Sequence, residues 1–255
     1  MPPRIAIPMP HSTDHEYGER AIPQYEKAVA LVGGEPVRVQ LEQTRDAILR
    51  LMQTCDGVLL PGSNADVDPA RFRAPRSPRT AAADPRRDAV DDLLLESAYS
   101  SCKPVLGICY GLQSLNVYRT GSLIQHIPDF LPEETRHRVN HEAGKKVAVA
   151  HSVEIEPKSK LAEIVTAEVG SRDAEVRSPL IVPVNSSHHQ SAEAVGNCLR
   201  VVARCPDDGI IEALEGTEPD HFVLAVQWHP ERSVDDDQAS RAIFAALIDA
   251  ARQRY

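Results

Sequence analysis

The sequence predicts an α/β fold: a mostly parallel sheet with helices on both faces, extended by an appended run of antiparallel strands. Three observations predict it. Short β-branched runs alternate with helical patterns through the first half, as in βαβ units. The second half changes to period-two strands closed by one amphipathic helix. The 255 residues, 42% of them hydrophobic, suffice for one large core and exclude a disordered chain.

Arg4–Pro8 reads as a buried strand, Gly18–Leu31 as a helix closed by Gly33-Gly34, and Pro36–Gln40 as a second strand. Gln43–Thr54 follows as a helix and Gly57–Leu60 as a third strand. Beyond a long loop, Arg86–Ser100 is helical, Pro104–Ile108 a strand and Tyr110–Tyr118 helical again. Val147, Val149, His151, Val153 and Ile155 share one face of a strand pattern. Ile181–Val184, Leu199–Ala203, Ile210–Leu214 and Phe222–Val226 continue the strands. Ala239, Ala242, Ile243, Ala246, Leu247 and Ala250 keep helical spacing at the end. Residues 1–255 read as a single domain without internal repeats.

A formal net charge of −9 argues against general nucleic-acid binding. Five cysteines (Cys55, Cys102, Cys109, Cys198, Cys205) form an odd set without a C-x-x-C pair, unlike a disulfide framework or a zinc ribbon. The first residues lack a signal-peptide apolar region, and no apolar run approaches the ~18 residues of a membrane span. A reduced, cytoplasmic enzyme without membrane or nucleic-acid partners is expected; a homodimer is left open.

Pro61 to Pro85 is loop by composition, with five prolines and the arginines 71, 73, 76 and 79. It starts at the carboxyl end of an expected strand, where open α/β sheets place ligands. Its arginines suit a carboxylate-bearing substrate or, equally, a solvated surface loop.

Cys109 stands between Gly107 and Gly111, directly after an apolar strand and before a helical pattern. That is the context of a nucleophile elbow, where a helix N-terminus stabilises a thiolate. The Tyr110 N–H could donate to an oxyanion. Taken alone, the segment equally suits a small buried hydrophobe at a strand end. A cysteine hydrolase also needs a histidine and a group that orients it. His229 leaves a buried strand beside Pro230, with Glu231 two residues on. Asn185-Ser186-Ser187-His188-His189-Gln190 is a polar run straight after a strand, suited to lining a site. His11 with His15, and His137 with His141, have the i,i+4 spacing of metal ligands, but both pairs lie in expected loops with no third ligand evident. No metal or cofactor is expected.

At these residues the sequence resembles a known family. Gly107-Ile108-Cys109-Tyr110-Gly111-Leu112-Gln113 and Gln227-Trp228-His229-Pro230-Glu231 look like the two signatures of the class I glutamine amidotransferase fold. Within it, the chain is most similar to the γ-glutamyl-γ-aminobutyrate hydrolases, a branch of cysteine peptidases. Leu59–Ser63 with Asp66–Pro69, Asp84–Asp88, Gly121–Gln125 and Val184–Gln190 carry the same likeness, which runs from about residue 4 to about residue 250.

The resemblance implies a flavodoxin-like sheet and a triad: Cys109 as nucleophile, His229 as base and then acid, Glu231 as orienting carboxylate. It also implies an oxyanion hole from backbone N–H groups of Gly62 or Ser63 and of Tyr110. Gln113 and the Asn185–Gln190 run (Asn185, Ser186, Ser187, His188, His189, Gln190) would bind substrate. The reaction would cleave γ-glutamyl-γ-aminobutyrate, from putrescine catabolism, or a related γ-glutamyl amide through a thioester. Two departures bear on substrate: Tyr110 stands where the branch usually carries Arg, and Ser63 where a second Gly often follows the turn, a choice also seen within the branch. Tyr after the cysteine is common in glutaminase subunits, so an amidotransferase subunit feeding ammonia to a partner synthase is the competing reading. A binding protein that lost its chemistry is disfavoured by the intact Cys109, His229 and Glu231.

Overall fold

The computed structural model describes residues 1–169 and 179–253. Runs too short for helices become strands, joined through helices: β1 (Arg4–Pro8), α1 (His15–Leu31), the edge strand β2 (Glu35–Val39), α2 (Arg45–Gln53) and β3 (Gly57–Leu60). Next come α3 (Pro85–Ser100), β4 (Val105–Ile108), α4 (Tyr110–Tyr118), β5 (Leu123–Ile124) and the short α5 (Ile127–Phe130). The later elements are β6 (His151–Ile155), α6 (Lys160–Val169), β7 (Leu180–Val184), β8 (Ser191–Ala192) and β9 (Leu199–Arg204). β10 (Ile211–Gly216), β11 (Val223–Val226) and α7 (Gln238–Arg252) complete the described chain.

Among the described residues, nine strands form one sheet in the order β2-β1-β3-β4-β11-β10-β9-β6-β7, while β5 and β8 pair separately. The β2-β1-β3-β4-β11 half is parallel and the rest antiparallel. α1, α6 and α7 pack together on one face, and α2, α3 and α4 on the other. Strands covered on both faces are apolar throughout: β3, β4 and β11 are buried at every residue. The last strand in sequence, β11, inserts beside β4 in parallel register, with Val226 opposite Ile108. Gly107 of β4 meets Leu60 of β3 on its other side.

The expected elements form, with short additions at β5, α5 and β8 and shifts at several ends. α1 begins at His15, because the Asp14 carboxylate caps it by accepting the Tyr17 N–H. The strand expected from Val147 starts only at His151; Val147 and Val149 are exposed. α6 was not legible in the sequence; Leu161, Ala162 and Val165 bury it against α7.

The 61–85 segment is an ordered strap. It contains a 3₁₀ turn at Pro69–Phe72 and a bridge between Asp66 and Ala83. Its last residue before α3, Asp84, accepts from the Arg86 and Arg87 N–H groups and from the N–H and hydroxyl of Ser12. One carboxylate therefore caps a helix and ties down the loop after β1.

Candidate active site

Parallel pairing of β3, β4 and β11 brings three carboxyl-terminal strand ends side by side, at the position where such sheets bind ligands. Those ends carry Gly62, Cys109 and His229. The Cys109 N–H donates to the Val226 carbonyl at 2.8 Å, so ladder hydrogen bonding joins two segments more than a hundred residues apart.

Cys109 occupies a strained backbone conformation, φ 53° and ψ −106°, at the N-cap of α4. The flanking glycines make that turn possible. A Cβ on Gly107 would sit 2.8 Å from the Gly111 carbonyl oxygen, and one on Gly111 only 2.2 Å from that of Leu60. The strand–turn–helix corner is thus too tight for any side chain on either side of the cysteine. Cys109 is buried and unpaired in any disulfide, with the first turn of α4 directed at it.

His229 is buried, and its Nδ1–H donates to Glu231 Oε1 at 2.7 Å. Cys109 stands beside the same ring: a Cβ built on Gly62 would lie 3.1 Å from His229 Cε1 and 3.6 Å from Cys109 Cβ. Burial pulls the imidazole toward its neutral form, but Glu231 and the Cys109 sulfur outweigh it and raise His229 to about 9. Burial likewise opposes ionisation of Glu231, and His229 reverses that, holding the carboxyl below its ordinary range. Asn185 clasps the His229 main chain from both sides: its Oδ1 accepts the His229 N–H and its Nδ2 donates to the His229 carbonyl, each at 2.9 Å.

The Gly62 N–H donates to the Tyr25 hydroxyl at 3.0 Å. A Cβ at Gly62 would lie 3.0 Å from that hydroxyl and 3.1 Å from His229 Cε1, so the turn presses directly on the imidazole. As the first residue of α4, Tyr110 has an N–H without an intrahelical acceptor. Its side chain points away into the core, where its hydroxyl donates to Asp88 at 2.6 Å beneath the Arg87 guanidinium.

Arg87 is the group that sequence reasoning missed. It is fully buried, pairs with Asp91 at 2.7 Å, and donates to the carbonyls of Pro10 (3.1 Å) and Pro61 (2.7 Å). It thereby holds the turn that carries Gly62. Its signal was an Arg–Asp pair at i,i+4 on the same helix face as Val90 and Leu94.

Other residues singled out from the sequence have protein partners. Gln113 Nε2 donates to the Gln190 carbonyl and Gln227 Oε1. Ser186 and His188 meet Glu212 on β10, Gln190 Nε2 donates to the Gln125 carbonyl, and His189 meets Asp66 at 2.9 Å. Among the described residues the buried Gln190 Oε1 has no hydrogen-bond partner. Arg71 is paired with Asp88 and Asp92, and Arg76 binds the Thr80 and Ala81 carbonyls within its own strap. Those two arginines hold the strap's shape. His15 opens α1, while His11 accepts the Thr13 and Asp14 N–H groups. His137 is exposed, and His141 is buried against Asp208 and Glu212.

A model of the peptidase C26 family matches residues 5–231. The chain belongs to the peptidase C26 family. Its relatives include a γ-glutamyl-γ-aminobutyrate hydrolase of Escherichia coli O157:H7, 33% identical over 89% of this chain and 84% of that protein. A protein of Rickettsia prowazekii with the provisional name glutamine amidotransferase-like protein is 30% identical, covering 89% and 88%. Among solved structures, the glutaminase domain of Trypanosoma brucei CTPS with bound acivicin superposes with a TM-score of 0.58 at 18% identity, over 98% of this chain and 94% of that one. This peptidase C26 member therefore has the class I glutamine amidotransferase fold and is a hydrolase of amide bonds.

Proposed function

We propose that the chain hydrolyses γ-glutamyl amides, γ-glutamyl-γ-aminobutyrate or a close relative of it, through a γ-glutamyl thioester on Cys109. The observation that carries the reading is the buried 2.7 Å His229–Glu231 bond on an imidazole set beside Cys109 at a helix N-terminus. The hydrolase named for that substrate, at 33% identity over 89% of this chain, supports the substrate class.

Glu231 and Cys109 raise the buried His229, so the imidazole readily takes the Cys109 proton and the sulfur acts as the nucleophile. The sulfur attacks the γ-carbonyl carbon, and the carbonyl π pair moves onto oxygen. Tyr110 and Ser63 N–H groups receive that oxyanion; the Gly62 N–H is already engaged by Tyr25. Collapse re-forms the carbonyl and breaks the C–N bond as His229 gives its proton to the departing amine. Neutral His229 then takes a proton from water, whose oxygen attacks the thioester. Loss of the thiolate releases glutamate and restores the pair. Glu231 orients the ring throughout. Asn185 acts as a positioning residue for His229. The glutamyl α-amino group would meet Gln190 Oε1, which lacks a protein partner among the described residues.

The test is glutamate release by the purified chain from a panel of γ-glutamyl amides. γ-Glutamyl-γ-aminobutyrate should be cleaved, and Cys109→Ala should abolish cleavage with its circular dichroism unchanged. No glutamate from any amide would reject the proposal. Tyr110 keeps the amidotransferase reading alive, so glutamine belongs in the panel; glutaminase activity appearing only with a co-purifying protein would favour that reading.

A further inference from the structure

Away from Cys109, the fold gathers three buried histidines around one buried carboxylate. Glu212 comes from β10, His151 opens β6, His188 lies in the segment after β7, and His141 belongs to the loop before β6. All four are at least nine-tenths buried. Glu212 Oε1 lies 3.2 Å from His141 Nδ1, 3.3 Å from His151 Nε2 and 3.2 Å from His188 Nε2. The four atoms all fall within 4.8 Å of one another.

The outer nitrogen of each ring determines what the inner one can be. His188 Nδ1 sits 2.8 Å from the Gln190 carbonyl and His151 Nδ1 3.0 Å from the Ser152 carbonyl. A carbonyl only accepts, so each of those nitrogens carries its hydrogen. His141 Nε2 faces Asp208 Oδ2 at 2.8 Å and does the same. In neutral imidazoles the inward nitrogens would then be three lone pairs aimed at a carboxylate oxygen. His141 Nδ1 and His151 Nε2 are buried and meet no acceptor other than that one Glu212 oxygen. Lone pairs converging on an anion need positive charge between them, and either a proton on each ring or one metal ion shared by all of them supplies it. Imidazoles whose far N–H is held by a carbonyl or carboxylate are oriented as metal ligands are.

We propose that His141, His151, His188 and Glu212 form a structural site for a divalent transition-metal ion, with Zn²⁺ the best fit. Four ligands about 2.0–2.1 Å from a tetrahedral zinc stand about 3.3 Å apart along each edge, the separation found between Glu212 and each ring. Three imidazoles and a carboxylate suit Zn²⁺ and not Mg²⁺ or Ca²⁺, which take oxygen ligands. The other oxygen of Glu212 accepts the Ser186 hydroxyl at 3.1 Å, which keeps the carboxylate monodentate. A divalent ion with the anions of Glu212 and Asp208 sums to zero charge, which suits a site closed from water. With four protein ligands, no coordination position remains for a substrate, so the role is structural. The ion would pin the 185–190 segment, where Asn185 clasps His229, to β10 and β6.

The test is metal content of the full chain. Protein stripped with chelator and dialysed against Zn²⁺ should retain one equivalent by mass spectrometry and show a higher Tm than the stripped form. Co²⁺ loading should give the strong visible absorption of a four-coordinate site. Cys109→Ser should keep the equivalent, whereas His151→Ala and Glu212→Gln should each lose it. Stripped wild type that takes up no Zn²⁺ and shows no change in Tm overturns the proposal without needing any variant to fold. So does full Zn²⁺ retention in His151→Ala, or its loss in Cys109→Ser, which would place the metal at the cysteine.

Discussion

Replacing Glu231 by Gln keeps the shape beside His229 and removes the charge. The carboxylate accepts Nδ1–H at 2.7 Å from a buried ring and is the largest contribution that raises the imidazole, from an ordinary 6.5 to about 9. That elevation corresponds to about 3 kcal/mol of preference for imidazolium over imidazole. With an amide in place of the carboxylate, the largest raising contribution is gone and His229 should titrate lower than in the wild type. The imidazole then takes the Cys109 proton less readily, so kcat at pH 8 should fall roughly 100-fold, with KM little changed. The alkaline limb of kcat/KM, set near pH 9 by His229 in the wild type, should move down with it. Iodoacetamide labelling provides a readout that needs no substrate. Cys102 and Cys198 are exposed, so peptide mass spectrometry must isolate the Cys109 rate. An unchanged pH profile for Cys109 labelling in Glu231→Gln, with kcat within threefold of wild type, would refute the reasoning.

Asn185→Ala removes both bonds to the His229 main chain and leaves a buried N–H and C=O unpaired. A loss of about 2–3 kcal/mol in urea unfolding is expected, with kcat reduced more than KM is raised. Gly111→Ala forces a methyl to 2.2 Å from the Leu60 carbonyl oxygen and should cost about 3 kcal/mol or prevent soluble expression, whereas a wild-type urea midpoint would contradict the tight-corner account. Arg87→Met strands the buried Asp91 carboxylate and should destabilise by about 3–5 kcal/mol; Arg87→Met with Asp91→Leu should recover part of that in a double-mutant cycle. The stability difference between wild type and Glu231→Gln should be largest below pH 6.5, since His229 is raised in the folded state, and should vanish as pH climbs through about 9. It should also shrink in acid, below the ordinary 4.5 of a glutamate, as Glu231 becomes protonated. Chemical denaturation across pH 4–10 measures both limbs.

Periodicity carried most of the fold. β1, β3, β4 and α4 lie within a residue of their expected bounds, because strands buried on both faces must be apolar along their whole length. Boundaries drifted where a cap decides them, as Asp14 does for α1. Val147 and Val149 show the limit of a period-two pattern, which marks alternation whether or not a neighbouring strand pairs with it. β6 pairs with β7 only from His151 onward.

The sequence by itself determined the α/β class, the glycine-flanked cysteine after an apolar strand and the His-x-Glu at the exit of another, because each depends on residues adjacent in the chain. Only the tertiary structure decided what meets across distance. Parallel insertion of β11 beside β4 sets His229 against Cys109, and Arg87 props the Pro61-Gly62 turn from within α3. Asn185, expected to meet substrate, instead grips the His229 backbone. His141, read from the sequence only as the partner of His137, stands beside His151, His188 and Glu212 from separate elements. Short-range patterns encode backbone shape. Which polar groups share a dry interior depends on sheet order and register, which no single segment contains.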